Sequence, residues 1–184
     1  MGHKMREIES KLVLRDVDLS TAVGKVRAAL SDEQPIMRIG SSVDTYWPIH
    51  DGRVEGQFLR VRERDGIRQI TVKGKDRGSN LDRIEVDVDS TSAVHVIHRM
   101  VRCLLGKPAG VIAKQYTVWE LESEYDTVCI YELTTPQNGG IFLEVEARSM
   151  ERMLELEKQM LELFPGATRA PGSLFEMFID GGKK

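Results

Sequence analysis

The sequence predicts an α+β fold in which about eight mostly antiparallel strands form a closed β-barrel with helices packed on the outside. Three observations predict it. Most strand-like segments alternate aliphatic with charged residues, so each has one apolar face and one charged face. The charges are sorted by strand, with acids on the first, fifth and last strands and bases on one hairpin. Segments with helical spacing can cover the apolar outside of a barrel whose lumen is charged.

Length and composition limit the possible classes of protein. The chain has 184 residues, which suits a single domain over residues 1–184 with a substantial core. It contains no apolar run long enough to cross a membrane, and its start lacks the apolar segment of a signal peptide. Cys103 and Cys129 have no metal-binding spacing and are expected to be free thiols in a reducing cytoplasm. The net charge of −3 argues against general binding to nucleic acid.

The first strand contains the stretch Glu7-Ile8-Glu9-Ser10-Lys11. Because side chains alternate along a strand, Glu7, Glu9 and Lys11 are expected on one face. Two carboxylates spaced in this way can share a divalent cation, and the lysine can hold an anion that the cation also touches. A single strand with alternating charges is more often a solvated face. The interpretation therefore depends on matching strands elsewhere in the chain.

The basic hairpin is predicted from a two-residue Asp65-Gly66 turn between two strand-like runs. A turn centred there pairs Arg64 with Ile67, Arg62 with Gln69, Arg60 with Thr71 and Phe58 with Lys73. This register collects bases on one face and aliphatic residues on the other. The bases are Arg60, Arg62, Arg64, Lys73 and Lys75. Because like charges this close repel each other, a polyanion is a natural neutraliser, although a solvated basic surface remains the alternative.

The other elements follow from periodicity and from cap and turn residues. Helices are predicted over residues 22–30, from a cap at 90–92 to residue 105, and over residues 150–164. Further strands are predicted over residues 36–49, 82–89, 110–122, 126–133 and 141–147, and an apolar turn over 173–179. The apolar faces of the second and third helices are expected to include Leu104 and Leu154. Trp47, His95 and His98 are interpreted as packing or surface residues rather than as ligands.

Six short motifs, in chain order, resemble those of the CYTH superfamily, the triphosphate tunnel metalloenzymes. Glu7-Ile8-Glu9-Ser10-Lys11 resembles its E-x-E-x-K signature. The others resemble D-x-Y, R-x-R, T-x-K, R-x-E-x-E and the closing E-x-E: Asp44-Thr45-Tyr46, Arg60-Val61-Arg62, Thr71-Val72-Lys73, Arg83-Ile84-Glu85-Val86-Asp87 and Glu144-Val145-Glu146. The resemblance covers nearly the whole chain. Each motif is weak alone, and the specificity comes from six of them in order.

One position departs from the family pattern. The sixth strand of the family usually carries K-x-R before a tryptophan, whereas this chain has Lys114-Gln115-Tyr116 before Trp119. A tyrosine donates one hydrogen bond to a phosphate but brings neither the charge nor the fork of an arginine. The departure therefore bears on how a substrate is held and how fast it is turned over.

The resemblance implies a tunnel that binds a triphosphate together with Mg²⁺ or Mn²⁺. The carboxylates it implies as metal ligands are Glu7, Glu9, Glu85, Asp87, Glu144 and Glu146. The residues it implies as phosphate ligands are Lys11, Arg60, Arg62, Lys73, Lys75, Arg83, Lys114 and Tyr116. Glu9, Lys11 and Lys114 are the expected catalytic residues. Phosphoryl transfer needs mainly positioning and charge neutralisation, which such a set of residues can supply.

Several functions fit these residues. The first is metal-dependent hydrolysis of a small triphosphate, namely inorganic triphosphate, a nucleotide or thiamine triphosphate. The second is a class IV adenylyl cyclase, which makes cyclic AMP and pyrophosphate from ATP. The third is a non-catalytic module that binds polyphosphate or a nucleotide, a reading that Tyr116 favours. An RNA 5′-triphosphatase is a remote fourth, because no basic surface for RNA is evident outside the proposed tunnel. A homodimer is the default expectation for so small an enzyme.

Overall fold

The structure is a computed structural model that describes residues 3–49, 57–73, 82–90, 93–121 and 126–180. It describes side chains for these residues except 3–7, 57 and 82–87. Its strands are β1 (His3–Leu14), β2 (Ile36–Ile49), β3 (Gln57–Arg64), β4 (Ile67–Lys73), β5 (Asp82–Ser90), β6 (Gly110–Glu120), β7 (Thr127–Thr135), β8 (Ile141–Glu146) and β9 (Thr168–Arg169). Its α-helices are α1 (Leu19–Ala29), α2 (Val94–Leu105) and α3 (Met150–Leu163). The elements form an α+β fold, as the sequence predicts.

The strands form one mostly antiparallel sheet in the order β5-β4-β3-β2-β6-β7-β8-β1-β9, with an additional pairing of β5 with β1. Within the described part of the chain, the sheet has nine strands rather than the predicted eight. The extra strand is β9, where Leu12 and Val13 of β1 pair with Arg169 and Thr168. This two-residue strand is too short to show an alternating pattern, so the sequence does not signal it. Closure of the sheet into a barrel stays a prediction.

The hairpin of β3 and β4 has the predicted register. Arg60 pairs with Thr71 and Arg62 with Gln69 across the two strands. Asp65 and Gly66 have positive φ values of 50° and 78°, as the tight hairpin turn that matches the twist of its strands requires. The Asp-Gly pair thus determines the turn, and the turn determines which residues of the two strands share a face.

The chain divides into two compact units. The first comprises Met1–Arg6, Ser41–Ala113 and Pro171–Lys184. Its core cluster contains Trp47, Val61, Ile97 and Val101, which join the apolar face of the hairpin to α2. Trp47 is 1% exposed and its indole N–H donates to the carbonyl of Gly106 (3.2 Å). The interpretation of Trp47 as a packing residue is therefore confirmed.

The second unit comprises Glu7–Gly40 and Lys114–Ala170. α1 packs on β7 and α3 packs on β8, so both helices lie on neighbouring strands. α1 begins after Asp18, whose carboxylate accepts a hydrogen bond from the N–H of Thr21 (2.9 Å). α3 begins after Ser149, whose hydroxyl accepts from the N–H of Arg152 (3.1 Å). Buried Met153 and Met160 fill the core below α3, as methionines commonly do.

Three local predictions about the helices are wrong. Leu104 is 76% exposed and Leu154 is 42% exposed, although both were expected to face inward. Each lies at the edge of an apolar stripe, where periodicity does not say how wide the covered surface is. The predicted cap at 90–92 is also displaced, because Ser90 still belongs to β5 and α2 begins after Ala93. Residues 91–92 lie outside the described residues.

Two remaining expectations concern reactivity and membranes. Cys103 and Cys129 are both free thiols, as predicted. Among the described residues, no helix combines the length and the apolar character needed to cross a bilayer.

His95 is exposed, and His98 packs edge-on against Trp47 with ring centroids 5.4 Å apart, so His98 acts as a packing residue.

Candidate active site

The acidic cluster lies on β1 and β8 in the second unit and contains Glu9, Glu144 and Glu146. The antiparallel register places Glu9 opposite Glu146 and Lys11 opposite Glu144. One carboxylate oxygen from each of the three acids lies within 4.8 Å of the others. Glu9 is 5% exposed, and Glu144 and Glu146 are partly buried. Two strands from opposite ends of the chain thus bring three carboxylates to one place.

Lys11 supplies the counter-charge of this cluster. Its ammonium nitrogen lies 2.7 Å from Oε1 of Glu144 and 4.0 Å from Oε1 of Glu9. The phenol of Tyr131 also donates to Oε1 of Glu144 (2.8 Å). Burial alone would raise the pKa of the Glu144 carboxyl, but Lys11, Lys114 and these hydrogen bonds hold that pKa far below its usual range. Glu144 is therefore an anion at neutral pH.

Lys114 lies beside the same group of residues on β6. It is 6% exposed, and its ammonium nitrogen lies 4.4 Å from the ring centroid of Tyr131. The pKa of the Tyr131 phenol is raised well above its usual value, mainly by burial and secondly by the charge of Glu144. The phenol therefore stays protonated and acts as a donor. Tyr116, two residues after Lys114 on β6, is also buried.

The acidic cluster has the donor chemistry that Mg²⁺ or Mn²⁺ requires. All three donors are carboxylates, which are the hard oxygen ligands that these cations prefer. Their oxygens are close enough to surround one ion, and the partial burial of the site limits competition from water. We conclude that Glu9, Glu144 and Glu146 fit a divalent cation.

The basic cluster lies on β3 and β4 in the first unit and contains Arg60, Arg62 and Lys73. Arg60 and Lys73 are 8% and 6% exposed, which is unusual for cationic side chains. Arg60 donates to the hydroxyl of Thr71 (3.0 Å), the residue opposite it in the hairpin. The alternation of β3 and β4 thus gathers the predicted bases on one face.

Asp44 neutralises part of the basic cluster. It is fully buried, and Arg62 donates to both of its oxygens at 2.7 and 2.8 Å. Such a bidentate pair fixes the direction of the guanidinium. The phenol of Tyr46 adds a long hydrogen bond of 3.4 Å to the same carboxylate. Burial and the charge of Asp44 raise the pKa of Tyr46, so this phenol also stays protonated.

The predicted site residues divide into three groups. The structure brings together Glu9, Lys11, Glu144, Glu146 and Lys114 in one unit, and Arg60, Arg62 and Lys73 in the other. Arg64, the outermost base of the hairpin, is exposed. Lys75 lies outside the described residues. The backbones of Glu7, Arg83, Glu85 and Asp87 belong to β1 and β5, but their side chains lie outside the described part of the chain.

Sequence reasoning missed the roles of two residues. Asp44 stands in a recognised D-x-Y motif, but the motif does not reveal that its partner is Arg62 on the next strand. The sequence pattern places Tyr131 in a strand and assigns it no role, whereas in the structure its phenol and ring contact Glu144 and Lys114. A tyrosine in a strand that pairs with the E-x-E strand was the available signal.

The comparisons with known proteins concern the fold. No protein-family model matches the sequence, and a search of curated proteins found no match. Solved structures do match. A candidate adenylyl cyclase from Hippeastrum, described as having a dominant triphosphatase activity, is 18% identical with a TM-score of 0.67, and the match covers 97% of each chain. A candidate adenylate cyclase from Bacillus halodurans is 15% identical with a TM-score of 0.63, covering 94% of this chain and 98% of that one.

The chain shares the fold of these solved structures, as the predicted resemblance implies. One of the two candidate cyclases is the protein that is described as having a dominant triphosphatase activity. The same fold also matches a chain of the Schizosaccharomyces pombe Mediator head module, at 13% identity and a TM-score of 0.62, over 90% of this chain and 100% of that one. Because one fold can carry different functions, the activity depends on the residues of the two clusters rather than on the fold.

Proposed function

We propose that the protein hydrolyses a small triphosphate in a reaction that depends on a divalent cation. The substrate is inorganic triphosphate, a nucleotide or thiamine triphosphate. The observation that carries the proposal is the acidic cluster, where three carboxylates lie next to the partly buried ammonium of Lys11 and the buried ammonium of Lys114. Carboxylates that share a site with lysines suit a cation and a phosphate chain bound side by side.

Each cluster has its own task in this proposal. Glu9, Glu144 and Glu146 hold Mg²⁺ or Mn²⁺, with Glu7, Glu85 and Asp87 as further ligands that the family resemblance implies. When bound, the cation neutralises phosphate oxygens and lowers the pKa of water. The phosphate ligands are Lys11, Arg60, Arg62, Lys73, Lys75, Arg83, Lys114 and Tyr116, which hold the phosphate chain and offset the charge that develops on it.

The chemical step needs one oriented water molecule. Glu9 is buried and its carboxylate lies 4.0 Å from the ammonium of Lys11, which places it beside a phosphate held by that lysine, where it can orient the water. The water oxygen attacks the terminal phosphorus and forms the new P–O bond, while the bond from that phosphorus to the bridging oxygen breaks and the rest of the substrate leaves as a diphosphate that keeps the electron pair. Glu9 takes the proton of the water and returns it to solvent after the product leaves. Lys11 and Lys114 offset the negative charge of the phosphates during the reaction.

The proposal includes the closed eight-stranded barrel that the family resemblance implies. The additional pairing of β5 with β1 supports it. A cytoplasmic location and a homodimer belong to the same proposal.

The alternatives differ in what happens to the triphosphate. A class IV adenylyl cyclase activity is favoured by the description of two structural neighbours as candidate cyclases. A non-catalytic binding module is favoured by Tyr116, which replaces the arginine of the family. If Tyr116 limits turnover, Tyr116→Arg should raise kcat/KM for inorganic triphosphate by a factor of about 10 to 100, because one charged hydrogen bond contributes about 1.5–3 kcal/mol. A loss of activity would instead mean that Tyr116 is shaped for the natural substrate.

The first test is a release assay for phosphate and pyrophosphate with Mg²⁺ and with Mn²⁺. The substrates are inorganic triphosphate, ATP and thiamine triphosphate. We expect phosphate from at least one of them. Pyrophosphate with cyclic AMP from ATP would replace the hydrolase with the cyclase. No turnover of any substrate, combined with thermal stabilisation by triphosphate, would indicate the binding module.

A further inference from the structure

Tyr131 on β7 contacts Glu144 of the acidic cluster and also the neighbouring Lys114 on β6. It is fully buried, its phenol donates to Oε1 of Glu144 (2.8 Å), and its ring lies 4.4 Å from the ammonium of Lys114. Phe142 stacks against that ring, with centroids 5.5 Å apart and planes 16° from parallel. The ring is thus held in place by packing, and its two polar contacts reach a proposed metal ligand and a proposed phosphate ligand.

The two donors on Glu144 share one oxygen. Lys11 lies 2.7 Å from Oε1, and Tyr131 donates to the same atom at 2.8 Å. The terminal torsion of a glutamate has broad energy wells, so an unrestrained carboxylate rotates easily. Two donors on Oε1 oppose that rotation and leave Oε2 as the oxygen with more capacity for a cation.

The contact with Lys114 is of a different kind. An ammonium above the face of a tyrosine is attracted by the negative face of the ring, and the attraction strengthens when both groups are buried. This contact does not need the hydroxyl group. The hydroxyl and the ring of Tyr131 therefore act on different partners, and mutations can separate them.

We propose that Tyr131 is a positioning residue that directs Oε2 of Glu144 toward the divalent cation and holds Lys114 in place for the phosphate chain. This inference rests on the proposed function, because it assumes that Glu144 binds a cation and Lys114 a phosphate. The proposed role has two halves. In the metal half, the phenol hydroxyl orients Glu144, and in the phosphate half, the ring holds Lys114.

The experiment compares Tyr131→Phe with Tyr131→Leu. Phenylalanine keeps the ring and loses the hydroxyl, whereas leucine loses both. Mn²⁺ affinity is measured by electron paramagnetic resonance without substrate, and triphosphate affinity is measured by calorimetry in EDTA. We expect Tyr131→Phe to weaken Mn²⁺ binding about tenfold, as for other residues that orient a metal ligand, and to leave triphosphate affinity within about twofold, because the ring contact survives. Tyr131→Leu should weaken both.

Two controls separate positioning from a general loss of structure. Tyr46→Phe removes a buried phenol that donates to Asp44 rather than to the acidic cluster, and it should leave Mn²⁺ affinity unchanged. The double variant with Glu144→Gln tests whether Tyr131 acts through Glu144. If it does, adding Tyr131→Phe to Glu144→Gln should weaken Mn²⁺ binding by less than twofold further, because effects through a shared partner are not additive.

The outcomes distinguish this inference from the proposed function. If the wild type binds Mn²⁺ and Tyr131→Phe binds it equally well, the inference is overturned while the proposed function stands. If Mn²⁺ binding weakens as expected but the wild type hydrolyses no triphosphate, the inference holds and the hydrolase proposal fails. If the wild type binds no Mn²⁺, the metal site and this inference both fail. Should Tyr131→Leu not fold, Tyr131→Phe decides the metal half and Tyr131→Met, which removes the aromatic face but fills more of the buried space, decides the phosphate half. Wild-type triphosphate affinity in a folded variant without the ring overturns the phosphate half.

Discussion

The acidic and basic clusters both contain an internal counter-charge, but they use it differently. In the basic cluster, Arg62 binds both oxygens of Asp44. In the acidic cluster, Lys11 and Tyr131 both bind one oxygen of Glu144. The first arrangement satisfies the carboxylate from both sides and suits a structural role. The second restrains the carboxylate while leaving its other oxygen for a ligand. A buried carboxylate can therefore have a structural or a ligand-binding role, depending on whether its donors contact both of its oxygens or only one.

The largest expected effect is a loss of folding stability when the counter-charge of the basic cluster is removed. Asp44→Ala removes a fully buried carboxylate and leaves Arg62 without its bidentate partner. Breaking a buried ion pair on one side typically costs about 3–5 kcal/mol of folding stability. Urea unfolding followed by circular dichroism measures the change.

A matched control for Asp44→Ala is an ion pair at the surface. Arg38 lies 3.0 Å from Glu120, and the side chain of Arg38 is 65% exposed. Glu120→Ala should lower the unfolding free energy by less than about 1 kcal/mol, as exposed pairs do. Equal effects of the two substitutions would show that Asp44 is not a structural partner of the kind we describe.

The next effect concerns catalysis in the acidic cluster. Glu144→Gln keeps the shape of the side chain but removes the charge that a cation needs. We expect kcat/KM for inorganic triphosphate with Mn²⁺ to fall about 100-fold or more, equivalent to about 2.7 kcal/mol, while circular dichroism shows a retained fold. Glu7→Gln is expected to act in the same direction.

The control for Glu144→Gln lies on the neighbouring strand. Glu132 on β7 is exposed, and Glu132→Gln should leave kcat/KM unchanged. Full activity in both Glu7→Gln and Glu144→Gln would rule out the assignment of these carboxylates as metal ligands.

The smallest expected effect is on the pH dependence of folding stability, and it involves a glutamate of α3 that contacts β1. Glu157 on α3 is buried and accepts hydrogen bonds from Ser10 and from Arg169, whose Nε lies 2.7 Å from Oε1. Burial opposes ionisation, but these hydrogen bonds and the charge of Arg169 lower the pKa of Glu157. Because the folded-state pKa is lowered, the stabilisation is present above the unfolded pKa of about 4.3 and is lost as the pH falls below it.

The test compares the pH dependence of the unfolding free energy in Glu157→Gln and in the wild type. Below about pH 4.3 the variant should have a shallower slope, by at most about 1.4 kcal/mol per pH unit for one proton. Glu151→Gln, at an exposed position on the same helix, should keep the wild-type slope. Identical slopes for the wild type and Glu157→Gln would show that this ion pair is not linked to folding.

Much of the fold follows from local signals. The Asp65-Gly66 turn predicts the hairpin and its register, because few other turns match the twist of two paired strands. The bounds of β2 agree with the prediction, and those of α3 differ from it by one residue. The failures at Leu104 and Leu154 have one cause. Helical periodicity gives the direction of an apolar face, but the width of the covered surface depends on what packs against it.

The sequence by itself determined which side chains share a face, because the period of a strand is a local property of the backbone. It therefore placed Glu9 with Lys11, Glu144 with Glu146, and Arg60 with Arg62. Only the tertiary structure decided which strands became neighbours. That choice put Glu146 opposite Glu9, Asp44 against Arg62 and Tyr131 between Glu144 and Lys114. Strand pairing joins residues that are far apart in the sequence, and no local period encodes such a partner.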